Sequence, residues 1–317
     1  MINAPKTALV RQPKKKTLGA LMLHYPIRTV DGRTLLPAGT ALTRRALEAL
    51  IAGRGGRAGK SRLLLRHANI QRDMLELVHS PHYDVIFSNS LKAAAVMLGL
   101  ATVRTSDLVL DCFDYLDQYD RYTYCHLLRV FALSALIARE LLPDDQIWKK
   151  FISMGPTHDI GKVCLPLPLL KKCGPITHEE RKLLDHHAAA GYVLLSVFYG
   201  DPAHPAAIVA RDHHERRDAT GKPRGIQLAS FMVETAIVCD IYDALITPRS
   251  YRPEPYDNRS AIEEITRIAA AGSIGWKPLR SLVAFNRISK PAQKDVIVST
   301  VQRGTPPAQN YYGVYED

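Results

Sequence analysis

Long apolar runs, paired cysteines and aromatic side chains are all scarce in this chain of 317 residues, and each scarcity removes a class of protein. The longest apolar stretch, residues 93–103, falls well short of the roughly 18 residues that a membrane-spanning helix needs. No membrane span is therefore expected, and the chain reads as a soluble, cytoplasmic protein. The first sixteen residues are basic but lack the apolar segment and small-residue cleavage site of a secretory signal, so they read as a frayed leader. Five cysteines, Cys112, Cys125, Cys164, Cys173 and Cys239, are an odd number. No two have the spacing of a zinc knuckle or a redox dithiol, which leaves reduced thiols acting as small hydrophobes. Nothing repeats, and no segment is of low complexity, so a solenoid or scaffold array is excluded. The run Gly53-Arg54-Gly55-Gly56-Arg57-Ala58-Gly59-Lys60-Ser61 has Arg54 where a phosphate-binding loop needs its first glycine, so it reads as a flexible basic connection.

What is present suits a folded, mainly helical globule: 46% hydrophobic and 23% charged residues with 7% aromatic,. The formal charge of +11 favours anionic partners. Much of the excess lies at 14–16 and 54–66, so charge alone does not choose among nucleotides, nucleic acid and acidic proteins. Residues 17–52 read as a hairpin with a turn at Asp31-Gly32, a break at Pro37-Ala38-Gly39, and a helix from Leu42 to Ile51 capped by Thr40,. From about His67 the periodicity is helical. The expected division is a smaller α+β domain, 1–105, serving regulation or dimerisation, then an all-helical domain, 106–303, opened by the cap Ser106-Asp107, and a tail, 304–317.

Eight of the twelve histidines fall between His126 and His214. A hydrolytic metal site needs neutral imidazoles and carboxylates projected inward from several helices. His126 lies in an amphipathic helix running to about Leu142, and alone says little. In Thr157-His158-Asp159-Ile160-Gly161-Lys162 the adjacent His158 and Asp159 can reach one metal while the carboxylate bridges to another, and Lys162 can meet a phosphate oxygen. A capping box at Thr177-His178-Glu179-Glu180 opens the next helix. There His187 shares the stripe of Leu183, Leu184, Gly191, Leu194 and Leu195 and is chosen as facing inward, whereas His186 and His178 are expected to be solvated. His213-His214-Glu215 precede a loop rich in glycine and proline. Asp240 stands in the apolar segment Ile237-Val238-Cys239-Asp240-Ile241-Tyr242-Asp243-Ala244-Leu245, where an unpaired carboxylate would be costly to bury,.

This ordered series, His126, His158-Asp159-Ile160-Gly161-Lys162, His187, His213-His214-Glu215 and Asp240-Ile241-Tyr242-Asp243-Ala244-Leu245, resembles the HD-GYP family of bacterial cyclic di-GMP phosphodiesterases over roughly residues 108–303. The resemblance implies a mainly α fold, with an all-helical HD-type catalytic domain. It implies that His126, His158, Asp159 and Asp240 hold one divalent ion and that His187, His213 and His214 hold another, with Asp159 bridging. Iron is the preferred metal and manganese the next. Catalysis would rest on Asp159 and Lys162, and substrate phosphates would meet Lys162, Arg249 and Arg252. The implied partner is cyclic di-GMP, cleaved to the linear dinucleotide or GMP. GGDEF-domain or other signalling proteins and a homodimer are further expected partners, and a nucleic acid polymer is not. The alternative is a weakly catalytic module that binds the nucleotide or a partner protein.

The chain departs from that family in three places. The loop that names it carries Gly-Tyr-Pro, where this chain has Gly221-Lys222-Pro223, and the preceding Asp-Gly is Asp218-Ala219. A glutamate that assists a third metal in some members is Tyr122 here, so two metals are expected. In Gly272-Ser273-Ile274-Gly275-Trp276-Lys277-Pro278, Lys277 stands in place of an aspartate.

Overall fold

The computed structural model describes residues 21–53, 59–88, 90–249 and 252–308. The leader at 1–16, most of the basic connection around 54–58 and the end of the tail lie outside the described residues. The chain begins with four short strands, β1 (Leu21–Met22), β2 (Ile27–Arg28), β3 (Thr34–Leu36) and β4 (Ala41–Leu42). Helix α1 (Arg44–Gly53) follows them. The hairpin is as expected: β2 and β3 pair antiparallel, and Gly32, at φ 82°, makes the turn by donating to Thr29 O at 2.9 Å. The helix cap is not Thr40. Ala41 and Leu42 are drawn into β4, which pairs with β1. The helix therefore starts later, and Thr43 Oγ1 accepts from Ala46 N at 3.1 Å.

Next come β5 (Ser61–Leu63), α2 (Ile70–Val78), α3 (Pro81–Phe87), α4 (Ser90–Leu100) and β6 (Arg104–Ser106). β5 and β6 pair antiparallel across the intervening helices, Ser61 opposite Ser106. The remaining helices are α5 (Asp107–Tyr119), α6 (Arg121–Leu141), α7 (Asp145–Ile152), α8 (Leu167–Leu170), α9 (His178–Asp185), α10 (His187–Tyr199), α11 (Pro205–Asp212), α12 (Phe231–Ile246), α13 (Asn258–Ala270) and α14 (Trp276–Asn286). Among the described residues no helix is long and apolar enough to cross a membrane.

The caps foreseen from sequence for α5 and α9 are made. Ser106 Oγ accepts from Leu108 N at 3.3 Å to start α5. Thr177 and Glu180 exchange hydrogen bonds of 3.1 and 2.7 Å to start α9. Helix α6 is the axis of the fold, buried without interruption from His126 to Ala138. A helix apolar on every side must be surrounded, and α2, α4, α5, α7, α12 and α14 all pack on it. Helices before and after residue 105 thus share one contiguous core.

A buried carboxylate ties α2 to this axis. Asp73, 1% exposed, accepts from Tyr124 Oη at 2.9 Å, Arg121 Nη2 at 3.0 Å and Arg72 Nη2 at 3.0 Å. Burial opposes its ionisation, but these three donors outweigh it and hold its pKa below the usual carboxylate value. Asp73→Ala strands the buried Tyr124 hydroxyl, at a cost of about 1–3 kcal/mol. Thermal denaturation followed by circular dichroism should show a lowered midpoint, with metal content unchanged in elemental analysis.

Candidate metal centre

Five segments deliver the seven donors chosen from sequence. His126 comes from the first turns of α6 and Asp240 from the middle of α12. His187 opens α10, and His213 and His214 leave the end of α11. His158 and Asp159 sit in a tight turn that runs into a 3₁₀ segment, Ile160–Cys164. Gly161 lets this turn approach α10, because a Cβ there would fall inside the contact distance of His187 O and Gly191 N. Gly191 in turn faces Ala210 of α11.

The ring nitrogens then converge. His126 Nδ1 lies 2.6 Å from Asp243 Oδ2, His187 Nδ1 2.5 Å from Leu184 O and His213 Nδ1 2.9 Å from Ala210 O. Each of these acceptors takes a hydrogen bond from Nδ1, which in a neutral ring leaves Nε2 with a bare lone pair. Yet the Nε2 atoms of His126 and His158 are 3.1 Å apart. Those of His187 and His213 are 3.2 Å apart, and those of His214 and His187 3.1 Å. Lone pairs at that separation repel unless a cation or proton lies among them. Asp159 connects the two groups. Its Oδ1 is 3.1 Å from His187 Nε2 and 3.4 Å from His213 Nε2. Its Oδ2 is 3.6 Å from His126 Nε2 and 3.8 Å from His158 Nε2. Asp240 Oδ1 closes the first group, 3.1 Å from His126 Nε2 and 3.9 Å from His158 Nε2. The donor atoms of Asp159, His187, His213 and His214 lie within 4.8 Å of one another, as do those of His126, His158 and Asp159. Imidazole with carboxylate at this spacing fits divalent transition metals.

The electrostatics agree. Burial pushes the carboxyls of Asp159 and Asp240 up, but Lys162 and the imidazoles of His158 and His187 outweigh it at Asp159, and those of His126 and His158 outweigh it at Asp240, so both lie below the usual carboxylate range. Burial holds His158 neutral, its pKa lowered to about 3, and lowers that of His214 as well. Burial also lowers His126, but its bonds to Asp240 and Asp243 prevail and raise it. The two carboxylates therefore favour a positive charge at that ring.

Two expectations from sequence are corrected. His186 is not solvated. It is 7% exposed, lies edge-on to Tyr25 with centroids 5.6 Å apart, and burial lowers its pKa to about 4. The helical stripe ranked it as outward because β1 to β4, which cover that side, are not visible in the periodicity of α9 and α10. Arg252, expected on a substrate phosphate, is 3% exposed. Its Nη2 donates to the carbonyls of Ala244, Leu245 and Thr247, so it caps the end of α12. Arg249 lies over the ring of Tyr122, 5.0 Å from its centroid. That ring is stacked at 6.1 Å on His126, which puts a phenol rather than a carboxylate beside the first group. Lys162 Nζ reaches Asp159 Oδ2 at 2.6 Å.

Asp243 was not singled out. It is fully buried and orients His126 through the 2.6 Å bond to Nδ1, while Arg129 Nε holds its other oxygen at 2.6 Å. The argument that selected Asp240, a carboxylate in an apolar helix, applies equally three residues on and is the signal that was available.

The altered loop keeps its backbone role. Lys222 N donates to His214 O at 3.0 Å, and buried Glu215 accepts from Arg224 N at 2.8 Å and Ile226 N at 3.1 Å. Gly221 packs on this turn so closely that a Cβ would overlap the backbone of His214, Glu215 and Arg216. The Lys222 side chain turns away to Asp185 at 2.5 Å. The loop thus needs the glycine for space but asks no particular side chain at 222. Ala219 adopts φ 60°, the left-handed region in which glycine is free of strain. Lys277 is exposed at the start of α14, and nothing in the structure explains its charge.

A histidine and aspartate cluster set among packed helices defines a metal-binding helical domain, and the comparisons name it. Residues 109–274 match the family model described as HD domain. A Pseudomonas aeruginosa protein named cyclic di-GMP phosphodiesterase PA4108 is 31% identical over 245 residues, 74% of this chain and 54% of that protein. A Thermotoga maritima protein named cyclic di-GMP phosphodiesterase is 33% identical over 162 residues, 50% of this chain and 43% of its own. A Vibrio cholerae protein named 3′3′-cGAMP-specific phosphodiesterase 3 is 34% identical over 206 residues, 60% of this chain and 43% of its own. The chain spans about half the length of these relatives. It belongs to the HD domain family, in its HD-GYP branch.

Three outcomes follow from the loop. Ala219→Gly should stabilise the protein by about 1 kcal/mol, read as a raised denaturation midpoint. Gly221→Ala should destabilise it by about 1–3 kcal/mol through overpacking and reduce bound metal. Lys222→Ala breaks only a half-exposed ion pair, worth under about 1 kcal/mol, and should leave metal content unchanged.

Proposed function

We propose that this protein hydrolyses a 3′,5′ phosphodiester bond of cyclic di-GMP with two divalent cations, iron in preference to manganese. The observation that carries this reading is the division of Asp159, one carboxylate oxygen toward His187 and His213 and the other toward His126 and His158. A pair of cations there would supply Lewis acidity, lowering the pKa of water and drawing charge from the phosphoryl oxygens. His126, His158, Asp159 and Asp240 would hold one, and His187, His213 and His214 the other, with Asp159 shared.

The remaining work falls to the protein's own groups. Asp243 keeps the His126 proton on Nδ1, so Nε2 stays available as a donor atom. The carbonyls of Leu184 and Ala210 do the same for His187 and His213. Lys162 holds a positive charge 2.6 Å from Asp159, and we assign it to the non-bridging phosphoryl oxygens, where negative charge grows in phosphoryl transfer. Arg249, on the Tyr122 ring beside His126, is the second cation assigned to substrate phosphate. The names of the Pseudomonas and Thermotoga relatives support cyclic di-GMP as substrate, and that of the Vibrio relative makes the mixed guanine and adenine dinucleotide its natural competitor.

The test is turnover by protein purified anaerobically and supplied with iron or manganese, with both dinucleotides as substrates and products separated by chromatography. Cleavage of cyclic di-GMP is expected. Tight binding without cleavage would instead make the chain a nucleotide-binding module. Asp159→Ala should lose both metals and all hydrolysis, and metal retained in elemental analysis would sink the ligand assignment. Lys162→Ala should keep both metals and lower kcat by about 10²–10³-fold, the usual effect of removing one group that stabilises transition-state charge.

A further inference from the structure

Helix α3 lies outside the residues matched by the family model, yet one of its side chains reaches the partner of a metal-ligating histidine. Asp243 is fully buried and receives four donors. His126 Nδ1 meets Oδ2 at 2.6 Å. Arg129 Nε at 2.6 Å, Tyr83 Oη at 2.8 Å and Thr247 Oγ1 at 3.2 Å all meet Oδ1. Arg129 rides on α6 with His126, and Thr247 ends the helix that carries Asp243, so neither refers the carboxylate to a third body. Tyr83 does. It is 1% exposed, and α3 is anchored apart from it, by His82 Nδ1 with Asn258 Oδ1 at 2.9 Å and Asn258 Nδ2 with His82 O at 3.0 Å.

We propose that Tyr83 is a positioning residue for the first metal group, its hydroxyl holding Asp243 Oδ1 so that Oδ2 remains directed at His126 Nδ1. The helices ahead of the matched domain thereby set the affinity of one of the two metal positions. A carboxylate that can rotate offers His126 an acceptor only part of the time, and the ring then loses both its orientation and its tautomer. Partners that orient metal-ligating histidines alter affinity by about 10–100-fold when lost. Tyr83 acts through such a partner, so a shift of about tenfold is expected.

The inference rests on the reading of His126 as a metal donor, and the experiment separates the two. Full-length protein stripped with a chelator is titrated with manganese(II), free ion being followed by electron paramagnetic resonance. His126→Ala identifies which of the two binding steps belongs to the first group. Tyr83→Phe should weaken that step about tenfold and leave the other in place. Tyr242→Phe is the control. Its ring lies edge-on to Tyr83 at 6.2 Å, but its hydroxyl bonds Asn286 at 3.1 Å instead of Asp243, so neither step should move. If His126→Ala removes no step, the metal reading fails and this proposal falls with it. If His126→Ala removes one step but Tyr83→Phe moves neither, the proposal alone is overturned. Equal weakening of both steps, or the same shift in Tyr242→Phe, also overturns it, since packing then suffices. Should Tyr83→Phe not fold, Asn258→Ala releases the anchor of α3, so that Tyr83 is no longer held against Asp243, and touches no residue of the metal group. A shift confined to the His126 step then supports the proposal, and an unmoved step overturns it.

Discussion

Imidazole Nε2 atoms facing one another across about 3 Å, with no more than a proton between neutral rings to separate them, are the constraint on which the rest of this structure depends. Such an arrangement is repulsive, and it is buried, so water cannot relieve it. Two ionised carboxylates among the rings deepen the negative potential, so the cluster favours a cation or a proton at its centre. Asp159 serves both groups because its two oxygens point in opposite directions, and Asp240 serves the first. The fold fixes the tautomer of three of the five rings with acceptors on their far side: a carboxylate for His126 and helix carbonyls for His187 and His213.

Those acceptors explain why the donors come from helix ends and tight turns. A histidine just past the end of α9 or of α11 lies beside carbonyls that the preceding helix leaves accessible, and its Nδ1 proton is satisfied locally. His126, in the body of α6, has no free carbonyl to use. Its partner must come from another helix, and Asp243 on α12 provides it. A second buried charge is then needed to hold that carboxylate, which accounts for Arg129 in the interior of an otherwise apolar helix.

Part of the cluster was legible because its residues break a local rule, and the rest followed only from the resemblance of the ordered series to a known family. Asp240 is a carboxylate in an apolar segment, and His158-Asp159 sits in a turn between apolar runs. The choice of His187 over His186 was also legible, although the reason given for setting His186 aside was incomplete. Periodicity describes one helix and its face. It does not report that strands 150 residues earlier in the chain cover the other face, and so Tyr25 over His186 was invisible. Arg252 failed for a related reason. A motif places an arginine near a loop, but only the fold shows that its Nη2 is turned to carbonyls at the end of α12. The cap of α1 moved from Thr40 to Thr43 because pairing with β1 outranked local helix preference. The contribution of Tyr83 is a contact across 160 positions, and no pattern in one sequence encodes it.

The stacking of Gly161 on Gly191, and of Gly191 on Ala210, has a further meaning. The segments that carry Asp159, His187 and His213 rest on one another main chain to main chain, with no side chain of any length interposed. Their separation is therefore a gauge set by atomic radii, not by how well a core happens to be filled. Substitutions elsewhere in the helices can change packing, stability and surface without altering that gauge.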